Sequence, residues 1–127
     1  MLPEDEVKAW LDKGQVDLKS AEVLLKNNPP ILETAAFHCQ QAAEKYLKAY
    51  LIDHRKEFSR VHNLVYLVEL CQEVDPELAE LNEATALLTP FAVLIRYPGS
   101  SSNPTPEQAQ AAYKAAKTIA EAITDRL

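Results

Sequence analysis

Apolar residues return every three or four positions along most of this 127-residue chain, and that period selects helices over strands. In the first stretch Val7, Trp10, Leu11, Leu18, Ala21 and Leu25 keep helical spacing, with Gly14 on the same face. A helix is expected over about residues 3–27. Pro3 suits a first helical position, and Glu4, Asp5 and Glu6 complement the helix dipole. Gly14 lowers helix propensity, but its missing side chain allows a second helix to approach closely. The chain holds only two glycines, which argues against an all-β fold with its many tight turns.

Breakers divide the rest. After Asn27-Asn28-Pro29-Pro30 a second helix is expected over about residues 31–53, with Leu32, Ala35, Ala36, Cys39, Ala43, Tyr46, Leu47 and Tyr50 giving it a broad apolar face. The basic stretch 54–60 reads as a loop. A third helix follows over about 61–74, repeating Leu64, Leu67, Val68 and Cys71. Asp75 as N-cap and Pro76 open a fourth, expected to run to about Arg96 and to kink at Pro90. Residues 98–104 form the clearest loop. Thr105, Pro106 and Gln108 then supply a capping box for the fifth helix. Long amphipathic helices on short connections predict an all-α, up-and-down antiparallel bundle, one domain over residues 1–127. Its expected core includes Trp10, Leu18, Leu32, Ala36, Cys39, Ala43, Leu64, Leu67, Cys71, Leu81, Leu88, Phe91 and Tyr113. Phe37, Leu51, Val93 and Leu94 lie at the margins of the stripes, and that surplus predicts burial against a second copy in a symmetric dimer.

Hydrophobic residues make up 47% and charged residues 25%, a globular balance. Residues 1–6 are acidic and lack an apolar run, and no stretch is long enough to span a membrane, so a cytoplasmic protein is expected. Cys39 and Cys71 lie inside helical patterns without the spacing of a metal or redox motif, and two buried thiols are expected rather than a bridge. His38, His54 and His62 have no metal-ligand spacing either, and no cofactor is implied.

The net charge is −6, which disfavours indiscriminate nucleic-acid binding. The charge is uneven. Residues 45–62 carry Lys45, Lys48, Arg55, Lys56 and Arg60 against Asp53 and Glu57, whereas residues 63–95 carry acids and no Lys or Arg. One anion-facing region or a solvated basic helix end accounts for the block. Inside it, Gln40, Glu44 and Lys48 share one helix face, and His38, Gln41 and Lys45 form a second polar row. A surface Glu44–Lys48 ion pair is the plain alternative. Arg96 follows an apolar run at a helix C-terminus. There it either complements the dipole or offers its planar fork to a phosphate.

The segment from Phe37 to Ala49, with its Gln40-Gln41-Ala42-Ala43-Glu44-Lys45 string, the His62-Asn63-Leu64 start of the third helix, and Arg96-Tyr97-Pro98 together resemble the HEPN family, the "higher eukaryotes and prokaryotes nucleotide-binding" domains. The pattern from Trp10 through Asp17-Leu18 and Ala21 to Leu24-Leu25 fits as well. The resemblance spans nearly the whole chain. It implies a helical bundle, usually a homodimer. Many such domains pair with a minimal nucleotidyltransferase in modules resembling toxin–antitoxin systems. Others are metal-independent ribonucleases with an Arg and a His separated by four to six intervening residues. Here Arg96 matches the Arg, but the His positions hold Ser101, Ser102 and Asn103, none of which moves a proton near neutral pH. Arg55 and His62 have the right separation in the wrong connection.

The resemblance and the charge pattern together predict a nucleotide-binding or nucleotidyltransferase-partner module. Lys45, Lys48 and Arg96 would contact phosphate, Gln41 and Glu44 would orient them or meet ribose or base, and His62 would border the site. The alternatives are a ribonuclease using Arg96 with His62 or His38, with RNA as ligand, and a structural dimer without ligand. Convergence of Lys45, Lys48, His62 and Arg96 on one cleft favours a ligand over the last of these.

Overall fold

The computed structural model describes residues 2–93 and 103–127, and among them it holds five α-helices and no strand. These are α1 (Pro3–Lys26), α2 (Leu32–Asp53), α3 (Leu64–Val74), α4 (Asn82–Leu88) and α5 (Pro106–Thr124). α1 and α2 pack side by side. Asp17 meets His38, Gly14 meets Tyr46 and Trp10 meets Lys48, so positions fall along α1 as they rise along α2. The two helices are therefore antiparallel, as expected for an up-and-down bundle.

α2 is the centre of the bundle, flanked by α1, α3 and α5. Its broad apolar face follows from that position. Ala36, Cys39, Ala43, Leu47, Tyr50 and Leu51 are all buried, facing different neighbours around the helix. Burying a leucine such as Leu47 stabilises the fold by roughly 1.5–3 kcal/mol. Leu51 is fully buried within the single chain, so it is not surplus surface awaiting a second copy. Phe37 is half-buried, Val93 is exposed, and Leu94 lies outside the described residues.

The other differences from expectation are local. α3 begins at Leu64 rather than near Val61, because the Asn63 side chain accepts the Tyr66 backbone N–H and fixes the first turn. The fourth expected helix is split. Pro76–Leu81 is a 3-10 turn, which aligns Leu78 with Leu81 three residues on, both buried. α4 then ends at Leu88, before a second 3-10 turn over Thr89–Phe91, where Pro90 lacks the N–H a continuing helix needs. The capping box of α5 forms as read, with Thr105 and Gln108 exchanging side-chain and backbone bonds. Of the expected core, Trp10, Leu18, Leu32 and Tyr113 are half-buried and the remainder are buried. Tyr113 keeps its hydroxyl at the surface by donating to Glu22 at 3.2 Å.

Candidate functional site

Packing α1 against α2 turns the row Gln40–Glu44–Lys48 inward. Glu44 is 3% and Lys48 6% exposed, so the pair is not the solvated surface bridge its spacing allows. Burying two charges needs further partners, and Glu44 has one from outside the helix. Its Oε1 accepts from His62 Nδ1 at 2.9 Å, and its Oε2 accepts from Lys48 Nζ at 3.4 Å. Only an acceptor faces Nδ1, so that nitrogen carries the ring proton. Gln40 completes the clamp. Its Nε2 donates to the His62 carbonyl at 3.3 Å, and its Oε1 accepts from Gln41 Nε2 at 2.8 Å. His62 precedes the Asn63 cap of α3, so the connection between α2 and α3 is tied down on α2 at two points.

The same construction occurs a second time. Asp17, on α1, is only 6% exposed. Its Oδ1 bonds His38 Nδ1 at 2.8 Å, and its Oδ2 accepts from Lys45 Nζ. Each buried carboxylate thus holds one histidine and one lysine, and both lysines line the cleft. Sequence reading missed Asp17. The signal was there: an acid three residues after Gly14 and four before Ala21 sits in the stripe that packs on α2, where an unpaired carboxylate is not tolerated.

Lys48 and His62 stand where two cavities adjoin. One, of about 460 Å³, is lined by Trp10 and Lys13 of α1, by Gln41, Glu44, Lys45 and Lys48 of α2, and by His62. The other, of about 740 Å³, is lined by Trp10, Ile52 and Phe58 on its apolar side and by Glu6, Glu57 and Arg60. Trp10, Lys48 and His62 belong to both. The Lys48 ammonium lies 5.4 Å from the Trp10 ring centroid, a cation–π arrangement that explains why Trp10 sits at the rim rather than in the core. Of the six residues picked from sequence, Gln41, Glu44, Lys45, Lys48 and His62 share one cavity. Arg96 lies outside the described residues.

Chemically the cleft pairs cations with an aromatic wall. Lys48 has three N–H donors and makes one long hydrogen bond, so donors remain for an anion. The cysteines stand apart: burial pushes both the Cys39 and Cys71 thiols up to about 12, which removes the thiolate a nucleophile needs. Among the described residues no group of three or more His, Cys, Asp or Glu side chains is arranged to hold a metal ion. No described helix is long and apolar enough to cross a membrane.

Two solved structures share this architecture. TT1696 from Thermus thermophilus superposes with a TM-score of 0.77 at 22% identity, over 95% of this chain and 98% of its own. ST0689, an archaeal HEPN homologue, gives 0.76 at 21% identity, over 94% and 96%. No curated protein matches the sequence. The sequence model of the HEPN domain matches residues 7–127, covering both clamped carboxylates, the α1–α2 cleft and the bundle around them, and the chain therefore belongs to the HEPN domain family.

Proposed function

We propose that this HEPN domain binds a nucleotide in the cleft between α1 and α2. The observation that carries the reading is Lys48, an ammonium nine-tenths buried at the junction of the two cavities with hydrogen-bond donors unspent. A buried charge with unused donors is costly, and an anionic ligand would satisfy it. The flanking walls suit the two ends of a nucleotide. Trp10, Ile52 and Phe58 offer a surface on which a base stacks, and Lys13, Lys45 and Lys48 face phosphate. Glu44 and Gln41 act by orientation: Glu44 is committed to His62 and Lys48, and Gln41 to Gln40. A phosphate contact by Arg96 rests on its planar fork and on the family resemblance. Action as a homodimer rests on the resemblance and on the apolar surface left at Phe37 and Val93, and pairing with a minimal nucleotidyltransferase in a toxin–antitoxin-like module rests on the resemblance alone.

Trp10 is the chain's only tryptophan, so the cleft carries its own reporter. Titration with ADP or ATP in EDTA should change Trp10 fluorescence saturably, and Lys48→Met should weaken the response at least about tenfold. Calorimetry showing no binding of either nucleotide at millimolar concentration would overturn the reading. Sedimentation at micromolar concentration tests the dimer, and a monomer alone would count against it.

The Glu44–His62 pair favours one second reading, a metal-independent ribonuclease. A carboxylate on Nδ1 fixes the ring and leaves Nε2 of a side chain that is 74% exposed for proton transfer. Against it stand the net charge of −6 and the residues Ser101, Ser102 and Asn103 where the family's histidine would follow Arg96. The expected result is little or no RNA cleavage by the metal-free protein. Robust cleavage, abolished in Arg96→Ala or His62→Ala, would restore the enzyme.

A further inference from the structure

We propose that the ligand of this cleft carries two phosphoryl groups in tandem, the first held at Lys48 and the second at Lys45, an inference that rests on the nucleotide reading above and narrows it. The starting observation is the duplicated clamp. Glu44 holds Lys48 and Asp17 holds Lys45, each through one ammonium donor, so both lysines are fixed while donors remain on each. The lysines are three residues apart on α2, about 4.5 Å along the axis, and so lie on neighbouring positions of one face. Both line the same cavity, and Lys13 lines it from α1 without an ion pair of its own among the described residues.

Order along the cleft sets the orientation. The apolar wall of Ile52 and Phe58 lies in the larger cavity, Lys48 lies at the junction, and Lys45 and Lys13 lie in the smaller one alone. A base on the apolar wall therefore brings its α-phosphoryl group to Lys48 and its β-phosphoryl group to Lys45 and Lys13. A single phosphoryl group at the junction leaves those two cations unused. Asp17 is then a positioning residue: it lies behind Lys45 and does not line the cavity.

The test is calorimetry on the full chain in EDTA with AMP, ADP and inorganic pyrophosphate. ADP should bind at least about tenfold more tightly than AMP, the effect of one added charge-assisted contact. Pyrophosphate should compete with ADP far better than orthophosphate does. Lys45→Met should remove most of the advantage of ADP over AMP and leave AMP nearly unchanged, whereas Lys48→Met should weaken both. Lys13→Ala, at an exposed position that leaves the fold intact, should lower ADP selectively, which keeps the question answerable if Lys45→Met misfolds. Saturable binding with AMP and ADP equal, or a Lys13→Ala variant that weakens both alike, would overturn the tandem arrangement and spare the nucleotide reading. No binding by any of the three would overturn the nucleotide reading and this inference with it.

Discussion

Gly14 faces Tyr46 so closely that a methyl group at position 14 would stand 2.8 Å from Tyr46 Cε2 and 3.0 Å from Cδ2. The ring is buried and its neighbours are packed, so it has little room to yield. Gly14→Ala gains about 1 kcal/mol of helix propensity but overpacks the contact by roughly 1–3 kcal/mol. The expected outcome is a net loss of about 1 kcal/mol in urea unfolding. In a Tyr46→Leu background, where the ring is gone, the same substitution should stabilise, and a loss of equal size there would show that the contact is not the cause.

Arg55 ends α2 in the left-handed region, with φ 55°. Lys56 N–H bonds the Leu51 carbonyl at 2.8 Å and Arg55 N–H that of Ile52 at 3.0 Å, the pattern of a Schellman cap. Glycine takes this conformation without the Cβ penalty. Arg55→Gly should therefore stabilise the protein by about 0.5–1 kcal/mol, visible as a higher urea midpoint.

Removing the acid of the inner clamp should cost more than removing its base. Glu44→Ala strands Lys48 without a counter-charge, with an expected cost of about 3 kcal/mol. Lys48→Met keeps an apolar stem beside Trp10 and leaves His62 on the carboxylate, so its cost should be smaller. Denaturation midpoints in the opposite order would show that Lys48 is not tied to Glu44.

Asp75 ties the C-terminal end of α3 to the residues that follow α5. Its Oδ2 accepts from Arg126 Nε at 2.9 Å and its Oδ1 from the Glu77 backbone N–H at 3.0 Å, and these bonds, Arg126 foremost, hold its carboxyl below the usual 3.8. A carboxyl lowered in the folded state contributes stability that is present above its unfolded value and is lost as pH falls through the folded one. The stability gap between wild type and Asp75→Asn should thus be full at pH 6 and shrink below about pH 4. A gap that widens in acid would reverse the assignment.

Cys39 and Cys71 should not react with a thiol reagent at pH 8 while the protein is folded, and both should react in guanidinium. Burial raises both thiols, with Asp17 adding to the effect at Cys39, so native reactivity at either would mean the bundle opens there.

What the sequence determined by itself is what neighbouring residues decide together. The capping box of Thr105 and Gln108, the break at residues 27–30 and the apolar stripes of α1, α2 and α5 involve residues within a few positions of one another, and each formed where it was read. The shared row of Gln40, Glu44 and Lys48 was legible for the same reason, since it follows from helical spacing alone. Which way that row faces was not. Glu44 and Lys48 look like a surface pair until α1 covers them, and the partner that makes their burial tolerable, His62, lies 18 residues away in a connection with no period to read. Asp17 is the sharper case. Its place in the apolar stripe of α1 shows that it must be paired, but its partners stand 21 and 28 residues distant on another helix, so nothing within reach along the chain says with what. Leu51 shows the converse: its apolar side chain is plain in the sequence, but only the arrangement of α1, α3 and α5 around α2 decides that it is core and not an interface. Backbone propensity and capping act over one or two turns and are encoded locally. The pairing of buried charges is set by which helices meet, and that is a property of the assembled bundle.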